Sequence, residues 1–188
     1  ICKVANDVIY IGNYLIEANT SISGNYKIKD GTTTIAENAF LDCTYLTSVT
    51  LPDSITSIDS WVFSGCTNLT CVAIPDSVTS IGYSAFMDCT SLTSVTMAKL
   101  LKFNPDQFFG CENIESFTFA GLTTLDVGYN QISNYFPLLE TFKAVNYAGE
   151  IPDYAFTGCS NLSTFSFAKV TSIGAYAFKG TALTEVDA

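Results

Sequence analysis

Apolar residues in this chain recur in columns. From Leu51 to Val95, two 23-residue stretches align position for position: Leu51 with Ile74, Ile58 with Ile81, Phe63 with Phe86, Cys66 with Cys89, and Leu69 with Leu92. The column beginning at Ile28 returns at Leu51, Ile74, Met97, Phe119, Ala144 and Phe167, spaced 23, 23, 23, 22, 25 and 23 residues apart. A fixed period of this size marks a solenoid, whose units are each too small to bury their own apolar face and lean on their neighbours. Seven units of about 23 residues are expected over 28–188, the last truncated.

One string repeats inside each unit: a leucine, two residues, an apolar residue, one residue, another apolar residue. It reads Leu46, Val49, Leu51, then Leu69, Val72, Ile74, and continues to Leu162, Phe165, Phe167. This is the leucine-rich repeat pattern. The last two apolar positions are two apart on a strand and point the same way, so stacked copies predict a parallel sheet on a concave face. Pro52 and Pro75 end the strand by removing a ladder donor. A second apolar column follows at Ile35, Ile58, Ile81, Phe103, Leu125, Ile151 and Ile173, and five residues on come Phe40, Phe63, Phe86, Phe108, Phe156 and Phe178. A small residue often precedes that phenylalanine, which predicts a short helical or 3₁₀ turn. The unit is too short for a long helix. The fold class is an α/β repeat solenoid, β-rich, with short helical or 3₁₀ turns.

Residues 1–27 lack the repeat. Val8–Ala18 and Gly24–Ile28 read as two strands joined by turn formers, an N-terminal β-hairpin capping the first open unit. The unit from Phe119 is also irregular. Gly128, Tyr129, Asn130 and Gln131 stand where the helical turn starts, Phe136 takes the cysteine slot, and Val145 to Ala148 replace the Pro-Asp turn. Two readings stay open: a tolerated degenerate unit, or a bulge that presents Tyr129, Tyr135 and Tyr147 for binding.

Composition narrows the chemistry. The chain has 48% hydrophobic residues among 188, yet no apolar run of the roughly 18 residues a membrane span needs. Eighteen acidic and eight basic residues give −10; every basic residue is lysine, and arginine and histidine are absent. Such an anion repels phosphate backbones, which argues against nucleic acid. Without histidine the commonest general base and transition-metal ligand are missing, so no enzyme and no cofactor are expected. No phosphate-binding loop, dinucleotide fingerprint, zinc-protease motif or nucleophile elbow is present.

Five of the seven cysteines share a column: Cys43, Cys66, Cys89, Cys111 and Cys159. In-register copies about 4.8 Å apart point the same way, which suits neither a disulfide nor a tetrahedral zinc site. They read as buried free thiols, whereas Cys71 falls on the concave face. The outward strand positions there are Ser48, Thr50, Cys71, Ala73, Ser94, Thr96, Ser116, Thr118, Thr141, Lys143, Thr164 and Ser166. This field of hydroxyls reads either as β-propensity with solubility or as a repetitive binding surface. Asp53 and Asp76 follow the prolines; they read as turn residues, with a Ca²⁺ pair as the sharper alternative. The sequons at Asn19, Asn68 and Asn161 are expected by chance in so Thr/Ser-rich a chain.

Ile74–Val95 reads IPDSVTSIGYSAFMDCTSLTSV and resembles the BspA-like leucine-rich repeat family. The stretch 51–72 is similar, with Asp59 in the usual glycine position and Val62 in the alanine position. The resemblance covers about residues 28–188. It implies a curved right-handed solenoid on surface or secreted proteins of host-associated microbes, mostly bacteria, and no catalytic residues. The leading expectation is a non-catalytic, monomeric adhesion module that binds a protein or glycan, such as host matrix or another microbial surface. A structural spacer presenting another domain is the alternative, and a hydrolase the remotest. The chain opens on Ile1 and its last unit stops at Val186 without a polar cap, so a longer native protein is expected.

Overall fold

The computed structural model describes residues 8–128, 131–167 and 169–184. Tyr129, Cys2 and Val186 lie outside them. The chain is a parallel β-solenoid of about seven turns with very little helix. It forms two compact units, residues 1–92 with 106–111, and residues 93–105 with 112–188.

In the first unit, Gly24–Lys27, Leu46–Thr50 and Cys71–Ala73 make a three-stranded parallel sheet. A second ribbon joins Ser57–Ile58 to Ser80–Ile81 in parallel. At the amino terminus Val8–Ile11 and Tyr14–Ala18 form an antiparallel hairpin, whose second strand runs parallel to Thr34–Ile35. The hairpin therefore closes within Val8–Ala18. Gly24–Lys27, expected as its partner, pairs instead with Leu46–Thr50. The reason is periodicity: Tyr26 and Ile28 stand in the same alternation as Val49 and Leu51, so this stretch joins the inner ladder.

In the second unit, Ser94–Met97, Ser116–Phe119, Thr141–Ala144 and Thr164–Phe167 form a four-stranded parallel sheet in unbroken register. Short parallel pairs join Lys102–Phe103 to Thr124–Leu125 and Glu150–Ile151 to Ser172–Ile173.

The expected short helical or 3₁₀ turn forms in two coils. A 3₁₀ turn forms at Pro105–Phe108 and one α-helical turn at Ile132–Tyr135. Elsewhere two tight turns follow one another, each closed by a left-handed residue. Asn38, Trp61, Ser84, Tyr154 and Tyr176 occupy the first such column, two residues before phenylalanine, with φ between 51° and 61°. Asp42, Gly65, Asp88, Gly110, Gly158 and Gly180 occupy the second, two residues after it. Asparagine, aspartate and glycine tolerate this conformation.

Glycine is required at two of those positions for a second reason. A Cβ on Gly65 would collide with Asp42 Oδ1, and one on Gly110 with Asp88 Oδ1. Aspartate and glycine thus alternate from coil to coil in the first unit, each side chain lying over a neighbour that has none.

The core follows the columns. In the first unit Phe40, Phe63, Phe86 and Phe108 stack with centroids 5.2–5.3 Å apart. Offset or tilted aromatic contacts add about 0.5–1.5 kcal/mol each to area burial. The cysteines lie beside this ladder. Sγ of Cys66 and Cys89 donates to the carbonyls of Phe40 and Phe63 at 3.2 Å, and that of Cys111 to Phe86 at 2.9 Å. All six described cysteines are free, and only Cys71 is exposed. Burial pushes the thiols of Cys66 and Cys159 up to about 12 and that of Cys43 to about 11. The neighbouring Cys111 thiol, then burial, raise Cys89 as well. These are packed, inert thiols.

Candidate binding face of the parallel sheet

Strand alternation places the functional side chains. In Ser116–Phe119, Phe117 and Phe119 are fully buried while Ser116 and Thr118 face out. The same holds along Ser94–Met97, Thr141–Ala144 and Thr164–Phe167. Register then brings the outward residues together in two rows. Ser94, Ser116, Thr141 and Thr164 make one; Thr96, Thr118, Lys143 and Ser166 make the other. Neighbours along a row sit about 4.8 Å apart, one strand spacing. Ser94, Thr96, Ser116, Thr118, Thr141 and Lys143 therefore form one contiguous face. The first unit has its own version, pairing Asn25 with Ser48 and Cys71, and Lys27 with Thr50 and Ala73.

Tyr135 and Tyr147 do not face solvent as expected. Tyr135 is 9% exposed and Tyr147 only 3%. The Tyr147 hydroxyl donates to the Glu150 carbonyl at 2.6 Å, and its ring packs edge-on against Phe167 at 5.2 Å. Burial raises its phenol above the ordinary value. Gly149 makes room, since a Cβ there would sit 2.5 Å from the Tyr147 ring. Tyr147 thus turns inward to rebuild the corner that Pro-Asp makes in regular units. Tyr135 is buried for a related reason: the irregular unit folds a helical turn whose inner face carries Ile132 and Tyr135. As solvent-facing ligand contacts both assignments are corrected.

Exposed aromatics occur elsewhere. Tyr154 and Tyr176 are 46% and 60% exposed, stack at 5.4 Å, and have the Lys179 ammonium 5.4 Å above the Tyr176 ring. Trp61 meets the exposed Tyr83 edge-on at 5.6 Å. Sequence reasoning passed over these residues, although Trp61, Tyr154 and Tyr176 share one column, which was the available signal.

Among the described residues no three metal-ligating side chains converge. Asp53 and Asp76 are both exposed. Asp53 borders an open depression of about 450 Å³ that also holds the exposed Lys27–Asp30 ion pair at 3.0 Å. Two sequon asparagines serve the backbone: Nδ2 of Asn68 donates to the Thr44 carbonyl at 2.7 Å, and that of Asn161 to Pro137 at 3.5 Å.

The repeat model of the BspA type leucine-rich repeat region matches residues 9–136 and 98–188, in six copies. The chain belongs to this family. Solved structures agree on the fold. A leucine-rich repeat protein of Eubacterium ventriosum is 25% identical, with a TM-score of 0.74, over 95% of this chain and 49% of its own. The Treponema pallidum leucine-rich repeat protein is 22% identical, with a TM-score of 0.61, over 94% and 86%. A leucine-rich cell surface protein of Faecalibacterium prausnitzii is 24% identical, with a TM-score of 0.58, over 98% and 47%. The chain spans about half the length of the Eubacterium and Faecalibacterium proteins. No curated protein matches it. Among the described residues no helix is long and apolar enough to cross a membrane.

Proposed function

We propose that this BspA-type chain is a non-catalytic binding module of a cell-surface or secreted protein, adhesive to a protein or glycan of host matrix or of another microbe. The observation that carries the reading is the in-register outward face of the four-stranded sheet. Its main-chain groups are spent in the ladder, so its side chains alone meet a ligand. Solenoids present extended concave surfaces of this kind to partners. The Faecalibacterium relative, described as a cell surface protein, supports the location.

The decisive experiment measures binding of the folded chain to matrix proteins and to a glycan array. Specific binding lost on replacing Thr118 and Thr141 with bulky residues supports the reading. The burial of Tyr135 and Tyr147 favours a second one, a spacer that holds another domain, because it withdraws two of the expected aromatic contacts. A folded chain that binds neither matrix proteins nor glycans points to the spacer.

A further inference from the structure

Of the eight outward positions in the four-stranded sheet, seven carry hydroxyls and one carries a lysine. Lys143 lies on an interior strand, in register with Thr118 on one side and Ser166 on the other. Lysine is disfavoured inside sheets, and every other position of its row is threonine or serine. Lys143 is half-buried, and it is the one described lysine that is not exposed.

The other lysines largely have partners. Lys27 pairs with Asp30, Lys102 with Asp126, and Lys29 and Lys179 lie over Tyr10 and Tyr176. The Lys143 side chain makes no hydrogen bond, ion pair or ring contact with any described residue. This happens in a chain with 18 carboxylates and a net charge of −10. Glu115 and Glu140 precede their strands in sequence and stand at the margin of the sheet, so the interior of the face holds one charge, and it is positive. An ammonium without a counter-charge on such a face favours an incoming anion.

The surroundings say what bears that anion. A protein interface draws its affinity from buried aromatic or aliphatic anchors, and the eight outward residues include none. An extended peptide would need an open strand edge, and this is a face. What the face offers is hydroxyl groups at regular spacing around one cation.

We propose that Lys143 is the anion-reading position of this face and that its ligand is an acidic glycan, a hydroxyl-rich chain bearing carboxylates. The proposal rests on the binding-module reading above and narrows it.

The test uses the intact chain, with uronate oligosaccharides such as oligogalacturonate as the probe. Their carboxyl-reduced counterparts, poly-glutamate, and the matrix-protein and glycan panel are the controls. Titration is expected to show oligogalacturonate binding that weakens with added salt. Carboxyl reduction or Lys143→Met should each weaken it by about tenfold or more, while Lys143→Arg retains it. Lys169→Met, at an exposed lysine outside the face, should leave it unchanged, and melting curves should be the same for all variants. Equal affinity for reduced and unreduced oligosaccharide, or no effect of Lys143→Met, overturns the proposal. Tighter binding of poly-glutamate also overturns it, in favour of an acidic peptide. Binding only to neutral glycans or matrix proteins, indifferent to Lys143, overturns it and leaves the module reading standing. No binding to any probe overturns both.

Discussion

The two compact units solve the same packing problem with different side chains. In the first, the strands contribute Leu46 and Val49, with Leu51 and Leu69 just outside them, and the aromatic mass stands in the turn as the Phe40–Phe63–Phe86–Phe108 stack. In the second, the strands themselves carry Phe117, Phe119, Phe142, Phe165 and Phe167. The phenylalanine turn is interrupted there: Ser133 takes its column and Phe136 the cysteine column. Around that irregular turn the flanking strands hold the aromatic volume in Phe117, Phe119 and Phe142, while Phe156 and Phe178 resume the turn stack in later coils. The lesson is compensation. A coil keeps its core filled by shifting mass between its two sides, so an irregular turn does not require an open surface.

Removing the second unit's hub tests this most severely. Phe142 is fully buried, with Phe103, Phe117, Phe119, Phe156, Phe165 and Phe167 all within 5.0–6.2 Å, centroid to centroid. Phe142→Ala should destabilise by about 3–5 kcal/mol, the upper range for core truncation. Phe63→Ala, which breaks a simple stack, should cost less. Denaturant unfolding of both variants settles the order. If Phe63→Ala costs more, the hub account is wrong.

The thiols come next. Those of Cys43, Cys66 and Cys159 are neutral in the folded core, and their values of about 11 to 12 lie above the ordinary 9.0. Their contribution is fully present below pH 9 and is lost as pH rises toward 12, because the unfolded chain ionises first. Stability should therefore fall in alkali across that window. A thiol reagent at neutral pH should label Cys71 quickly and the described buried cysteines only on unfolding. Rapid labelling of Cys66 in the folded protein would contradict the packing.

The alternation of aspartate and glycine gives a smaller effect. Gly65→Ala places a Cβ in a left-handed position and against Asp42, and should cost about 2 kcal/mol. Adding Asp42→Gly should recover part of it, since the collision goes while the backbone strain stays. A double-mutant cycle with no coupling would remove the contact from the explanation.

Tyr147→Phe deletes the hydroxyl that donates to Glu150 and should cost about 1 kcal/mol. Smallest is Lys102→Ala. The pair with Asp126 is 2.7 Å long but largely in solvent, and such pairs are worth about 0–1 kcal/mol.

The periodic columns were legible because stacking demands them: Ile58 must meet Ile81, and Val49 must meet Val72. The outward rows followed from strand alternation alone, which is why Ser94 to Lys143 could be named from sequence. Three things were not legible. The double turn depends on left-handed residues, and Trp61 or Tyr154 gives no local hint of that conformation. Gly24–Lys27 looked like cap because no leucine motif precedes it. Tyr147 looked exposed because a polar hydroxyl in an irregular stretch suggests a loop. Its burial depends on a carbonyl three residues on and on the absent side chain of Gly149.

The Asp42–Gly65–Asp88–Gly110 succession has a consequence for how such a protein can grow or shrink. The visible repeat is one coil, but this column repeats every two. Excising the coil that bears Gly65 would bring Asp42 and Asp88 to adjacent rungs, two like charges about one strand spacing apart. Excising two coils would restore the pairing. Gene-level gain and loss of repeats in this region is therefore expected to proceed by twos, so that length variants differ by even numbers of coils.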